Sequence, residues 1–148
     1  MGRYLAIDYG RKRIGIAWGD PALAVAVARP PIICGAAVDF WAELGAVVRE
    51  GEIVAFVVGL PLDREGGEGD WAREVRAFGK RLREHFPLPL YFFDERLTSY
   101  QAALDRTGGR GPLGQILRRR RSGRDDSRSA ALLLQDFFEE RRMAKDGP

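Results

Sequence analysis

Apolar and polar positions divide the chain into short runs of two periods. Tyr4 to Ile7 is an apolar run that delivers a carboxylate, Asp8, and breaks at Gly10; Ile14 to Trp18 resumes it beyond the basic link Arg11-Lys12-Arg13. The pair predicts a β-hairpin. Ala22 to Ile33 is apolar again and carries Pro30 and Pro31, so it reads as a third strand whose end lies at a sheet edge. The spacing then lengthens. Phe40, Leu44, Val47 and Val48 fall on one helical stripe behind Asp39, a suitable N-cap. Ile53 to Val58 is continuously apolar, as in a parallel strand covered on both faces, and ends in Gly59-Leu60-Pro61-Leu62. Asp63 to Gly69 holds three glycines among acids and reads as a mobile loop. Asp70 is expected to cap a helix with Trp71, Val75, Phe78 and Leu82 on its apolar stripe. Pro87 and Pro89 bracket its exit, and Leu90 to Phe93 forms a further strand that ends in Asp94-Glu95-Arg96. Thr98 to Gln101 fits a capping box and predicts a short helix. The last helix starts near Asp126 and buries Ala130, Leu133, Leu134, Phe137 and Phe138, leaving 143–148 as a frayed tail.

Three strands joined by short turns, followed by alternating helices and strands, predict an α/β fold with a five-stranded mixed sheet. It is antiparallel on one side and parallel on the other, with helices on both faces. The 148 residues, 45% of them hydrophobic, are read as a single domain spanning 1–148, with 106–124 as a flexible basic loop region. In such sheets chemistry gathers at the carboxyl ends of the parallel strands. Asp8 and Glu95 stand at or near such ends.

Composition narrows the chemistry. Cys34 and His85 are each the sole residue of their type, which excludes a disulfide framework and a CxxC zinc site. His85, at a predicted helix end, reads as a surface residue rather than a catalyst. Hydrolysis would therefore rest on carboxylates helped by a metal. The apolar run after Arg3 is too short for a signal peptide, and nowhere do about 18 apolar residues run together, so a soluble cytoplasmic protein with no membrane partner is expected. The net charge is only +3, yet of 24 basic residues just Lys12, Lys80 and Lys145 are lysine. Arginine's planar fork suits phosphate oxygens. Codon bias would account for the overall preference but not for the cluster Arg118-Arg119-Arg120-Arg121, with Arg110 and Arg124 beside it.

Three acids stand where this architecture can converge them: Asp8, Glu95 and Asp126. Each has a plainer reading. Asp8 serves equally as a hairpin turn residue, Glu95 as a surface partner of Arg96 or Arg76, and Asp126, or Asp125 in its place, as an N-cap. Together they match a chemical need, because phosphodiester hydrolysis wants an activated water and a stabilised leaving oxygen. Two divalent ions about 4 Å apart supply both when three or four carboxylates hold them. Mg²⁺ prefers such hard oxygen ligands.

The blocks LAIDYGRKRIGIAWGD, VVGLPL, DERLTS and a basic run before DSRSAALLLQDFF together resemble the RuvX/YqgF family of bacterial Holliday-junction resolvases, over nearly the whole chain and in the family's order. The resemblance implies a ribonuclease-H-like fold and a metal-dependent endonuclease, using Mg²⁺ or Mn²⁺ in a two-metal site. It also implies a role in 5′-end processing of pre-16S ribosomal RNA, in cleavage of branched DNA, or in both. By motif position Asp8, Glu95 and Asp126 are the implied catalytic acids and metal ligands. The glycine-rich stretch 107–114 and the doublet Asp125-Asp126 depart from the pattern and leave the loop's reach and the third ligand open.

Arg118 to Arg121 and Arg124 are the expected contacts to a phosphate backbone, salt-sensitive and weakly sequence-specific. Arg11, Lys12, Arg13 and Arg96 lie nearer the acids and are expected to hold the scissile phosphate. The rival from another class is a non-catalytic nucleic-acid-binding module tied to ribosome assembly or transcription. A sugar-kinase-like nucleotide site ranks below it, since one domain of this length cannot build a two-lobed cleft. Resolution of a junction needs two sites related by a two-fold axis, so a homodimer stays open.

Overall fold

The computed structural model describes residues 2–35, 39–63, 65–97 and 126–145. Its elements, labelled in chain order, are β1 (Arg3–Asp8), β2 (Arg13–Asp20), β3 (Val25–Ile33), α1 (Phe40–Glu50), β4 (Ile53–Leu60), α2 (Asp70–His85), β5 (Leu90–Asp94), a 3-10 turn (Glu95–Leu97) and α3 (Asp126–Lys145). The expected helix from Thr98, the basic run and Asp125 lie outside the described residues.

The five strands form one sheet in the order β3-β2-β1-β4-β5. β1 pairs antiparallel with β2, and β2 with β3, whereas β1 with β4 and β4 with β5 run parallel. This is the mixed sheet predicted from the order of runs. Ile7 is the hinge of the register, opposite Ile16 on one side and Val58 on the other.

Strand periodicity divides the core between two faces. Leu5, Ile7, Ile14, Ile16, Phe56 and Val58 pack beneath Leu44 of α1 and Val75, Phe78 and Leu82 of α2. Ala6, Ala17, Val57 and Phe93 face the other way, against Ala130, Leu133, Leu134, Phe137 and Phe138 of α3. β4 is buried on both sides, which is why its sequence reads as an unbroken apolar run. The small residues Ala6 and Ala17 let α3 approach closely while its phenylalanines fill the space towards Tyr4 and Tyr91.

Local signals behave unevenly. Asp39 caps α1 as expected, its carboxylate accepting the Ala42 N–H at 3.2 Å. The cap position of α2 is Gly69, not Asp70, and it makes no side-chain cap hydrogen bond. Asp70 is instead the first helical residue and pairs with Arg73 at 3.5 Å, still a favourable place for an acid near the helix's positive end. Trp71 leaves the predicted stripe: it is 37% exposed, and Ala72 is buried in its neighbourhood. The segment read as a loop holds neither helix nor strand among its described residues, and a local turn shapes it. The Asp63 carboxylate accepts from the N–H groups of Glu65 at 2.9 Å and Gly67 at 2.7 Å, and Gly66 takes the positive φ of 86° that closes it. α3 runs on to Lys145, so 143–145 are helical where a frayed tail was expected. At the sheet edge the Gln135 amide bridges the backbone of β3, accepting from Ala26 N–H at 3.2 Å and donating to Ala24 C=O at 2.6 Å. It satisfies edge groups that would otherwise invite another strand.

Phe56 has no exposure and touches the α1 and α2 side of the core. Phe56→Ala is expected to lower the free energy of unfolding by about 3–5 kcal/mol, read from urea denaturation. A loss below about 1 kcal/mol would show that this face is not the close-packed core described.

Candidate active site

The alternation that buries Leu5 and Ile7 towards α1 and α2 carries Asp8, the last residue of β1, to the α3 face. Its cross-strand partner on β2 is Gly15. On β4 the residue after Val58, the partner of Ile7, is Gly59. Asp8 is thus flanked on both neighbouring strands by residues without side chains.

Glu95 reaches the same place from the other side. It follows β5 directly, and its side chain lies over Gly59: a methyl group added to that glycine would come within 2.6 Å of Glu95 Oε1 and 3.2 Å of Cγ. The Gly-Leu-Pro block therefore contributes by what Gly59 lacks. Asp8 and Glu95 are half-buried, separated in sequence by most of the chain, and brought to one end of the sheet through β1, β4 and β5.

α3 begins at that end too. Ser127 Oγ accepts the Ile16 N–H at 3.4 Å, and Ile16 is the partner of Ile7, the residue before Asp8. Asp126 opens the helix, and its side chain, like Asp125, lies outside the described residues. Among the described residues no three histidine, cysteine or acidic side chains form a group able to hold a metal ion. The described part supplies two carboxylates and a glycine cradle, a donor set of hard oxygens that fits a divalent cation and lacks the nitrogen or sulfur that would favour zinc.

The basic residues divide. Arg96 donates to both Asp94 oxygens, from Nε at 3.0 Å to each and from Nη2 at 2.6 Å, and its backbone N–H adds a further bond at 2.9 Å. These bonds hold the Asp94 carboxyl below the usual carboxylate range, the Arg96 side chain being the largest cause and burial opposing it. Arg96 also lies beside Gly66 of the 63–67 turn, so Asp94 fixes a guanidinium at the rim next to Glu95. Arg11 is engaged on the opposite face. It donates to Glu74 of α2 from Nε at 3.1 Å and Nη2 at 2.9 Å and lies 5.1 Å over the Trp71 ring. Lys12 and Arg13 are exposed. Arg118 to Arg121 and Arg124 lie outside the described residues.

The sequence reading missed Asp94, Glu74 and Ser127. Asp94 stands two residues before Arg96 and could have been suspected from that spacing. Glu74 lies 63 positions from Arg11, and no local pattern announces their pairing. His85 is exposed and stacks on Trp41 with ring centroids 3.8 Å apart, as a surface residue.

A five-stranded mixed sheet in this strand order, with helices on both faces, is a ribonuclease-H-like fold. The chain matches the solved structure of Thermus thermophilus RuvC in complex with a Holliday junction substrate at a TM-score of 0.58, with 16% identity and 96% of each chain covered, a likeness of fold. The chain belongs to the RuvX Holliday junction resolvase family, whose model matches residues 2–140. Curated relatives named "Putative pre-16S rRNA nuclease" are similar throughout. The protein from Opitutus terrae is 39% identical over 142 residues, covering 94% of this chain and 92% of its own. That from Oleidesulfovibrio alaskensis is 38% identical over 149 residues, covering 98% and 99%. Among the described residues no helix is long and apolar enough to cross a membrane.

A depressed carboxyl pKa adds stability above the unfolded-state value of about 3.9 and loses it as pH falls through the lower folded value. Asp94→Asn is therefore expected to be less stable than the parent at pH 7. The gap should narrow steadily below about pH 4, where the unfolded chain takes up its proton first. Urea titrations at several pH values test this, and a gap that widens on acidification would contradict the pairing.

Proposed function

We propose that this protein is a Mg²⁺- or Mn²⁺-dependent endonuclease that hydrolyses phosphodiester bonds in structured nucleic acid. The reading is supported by Asp8 ending β1 next to Gly59 and by the Glu95 side chain lying over the same glycine. Asp8 and Glu95, with Asp126 or its neighbour Asp125 as the third acid, would hold the cations. Bound there, divalent ions supply an activated water and neutralise charge on the phosphate and on the leaving oxygen.

The chain's own residues do the rest. Gly59, beside Asp8, leaves the room that the Glu95 side chain takes, so both carboxylates can face one phosphodiester. Arg96, oriented by Asp94, stands at the rim to align the scissile phosphate. Lys12, Arg13, Arg118 to Arg121 and Arg124 hold neighbouring phosphates through charge, which makes binding tight at low salt and indifferent to base sequence. The names of the relatives point to pre-16S ribosomal RNA as the substrate, and the family's description to a four-way DNA junction. Both present a bent, branched phosphate backbone to the same carboxylates, and cytoplasmic action suits both. Cleaving a junction symmetrically would add the need for a homodimer.

Asp8→Asn and Glu95→Gln, assayed with Mg²⁺ or Mn²⁺ on matched RNA and four-way DNA substrates, are each expected to lose about 100-fold or more in cleavage rate, since charge stabilisation by a held ion is worth several kcal/mol. Binding should remain salt-sensitive. Full cleavage by either variant, at unchanged folded stability, would remove that residue from the mechanism. Binding without cleavage by the parent protein would favour the non-catalytic module instead.

Gly59→Ala tests the cradle. The added methyl meets the free end of the Glu95 side chain rather than backbone, so the carboxylate must move while the fold stays. The expected result is a cleavage loss comparable to Glu95→Gln with little change in the urea midpoint. Undiminished activity would show that the position of Glu95 over Gly59 does not matter.

A further inference from the structure

Arg11 was expected to grip phosphate, and the structure gives it another occupation. Both of its donating positions that Glu74 engages lie along one edge of the guanidinium, Nε to Oε2 and Nη2 to Oε1, in a fork that fixes the plane of the group. Glu74 also accepts the Tyr9 hydroxyl at 3.2 Å. One carboxylate thus clamps the first and third residues after Asp8 to α2. Its own pKa is lowered, chiefly by the Arg11 hydrogen bonds, so the clamp stays charged at neutral pH.

Around this clamp three flat groups are layered. The Trp71 ring lies 5.4 Å from the Tyr9 ring and 5.1 Å from the Arg11 guanidinium, and Tyr9 in turn stacks on buried Phe78 at 4.7 Å. The outer members are open to solvent: the Arg11 side chain is 72% exposed and Trp71 is 37% exposed. Trp71 is the sole aromatic among the exposed large hydrophobic residues described; Leu23, Val25, Val27, Ile33, Val54 and Met143 are aliphatic. The other two tryptophans are less exposed, Trp18 packed against Arg3 and Arg29 and Trp41 against His85.

Place decides what such a surface can do. α2 starts where the chain leaves the carboxyl end of β4, so Trp71, in its first turn, stands at the same end of the sheet as the acids. Arg11 is three residues beyond Asp8, no more than about 11 Å along even an extended chain. A strand with its phosphate against Asp8 would have to cross only the end of the sheet to reach this layer. A guanidinium whose edge is bonded to Glu74 and whose inner face rests on Trp71 turns its outer face to solvent, and that face, backed by the indole, suits the flat surface of an unpaired base.

We infer that Trp71 and Arg11, held by Glu74, form a stacking platform for an unpaired nucleotide of the substrate, adjacent to the bond that is cut. The inference rests on the nuclease reading above and adds to it a substrate feature: a single-stranded segment bordering a duplex. Stacking reads no base identity, so the preference concerns strandedness and not sequence.

The test uses the full chain and two probes, a blunt duplex and the same duplex with a single-stranded tail, each as RNA and as DNA, with affinity read by fluorescence anisotropy. The parent protein should bind the tailed probe more tightly than the blunt one. Trp71→Leu keeps apolar bulk but removes the flat ring; it should weaken tailed binding by at least about fivefold and leave blunt binding unchanged. Trp71→Phe should restore most of the difference. A 2-aminopurine base in the tail should change its fluorescence on binding to the parent and much less on binding to Trp71→Leu. Urea midpoints of the variants separate a loss of fold from a loss of contact. Equal binding of tailed and blunt probes by the parent, or equal weakening of both by Trp71→Leu, would overturn the platform while leaving the nuclease reading intact. Failure of the parent to bind or cut either probe would instead bring down the nuclease reading, and the platform with it.

Discussion

Leu5 and Ile7 are wholly buried beneath α1 and α2, and a strand sends successive side chains to opposite faces, so Asp8 has no choice but the α3 face. The site depends on that constraint. A slip of one residue in β1 would drive an aspartate into the cluster around Val75 and Phe78 and expel two aliphatic side chains, at a cost of several kcal/mol on each count. The parallel partner β4 obeys the same rule: Phe56 and Val58 go to one core, which puts Gly59 on the other face beside Asp8. Packing of apolar residues thus decides where the acid points.

The end of the sheet has two sides with different chemistry. On the α3 side stand Asp8, flanked by glycines, and the Glu95 side chain over Gly59. On the α2 side Glu74 gathers Tyr9 and Arg11 against Trp71. The short link after β1 joins them, since Asp8 ends the strand on one face and Tyr9 and Arg11 fasten to the helix on the other. Clamping that link to α2 limits how far Asp8 itself can stray, which is one way to keep a carboxylate in place before any cation binds.

Much of this was readable in the chain, for reasons that differ by element. β4 announced itself because both its faces are covered, and α3 because its five buried residues repeat at helical spacing against a sheet face made thin by Ala6 and Ala17. Asp8 and Glu95 were nominated by their places at strand ends, and the sheet order carries both to the same end, their part in catalysis being the proposal above. Contacts between remote segments were not readable: nothing near Arg11 names Glu74, and nothing near Glu95 says that it will lie on Gly59. Trp71 misled because helical periodicity assigns it to the same stripe as Val75. Periodicity does not record that Ala72, the next residue, takes the buried place in the first turn of α2 while Trp71 packs against Tyr9 and Arg11. Asp70 misled in a similar way, a good capping residue displaced by one position because Gly69 already holds the extended conformation at the cap.

The proposed nuclease requires cations held between β1 and β5 at the carboxyl end of the sheet. Mn²⁺ titrated into isotopically labelled protein reports its own position through paramagnetic broadening of nearby amide signals, without any need for turnover. The expected outcome is early loss of the signals of Gly15, Gly59 and Glu95, while those of Arg3, Ile53 and Leu90 at the opposite end persist. Broadening centred elsewhere, or no selective broadening at all, would contradict it.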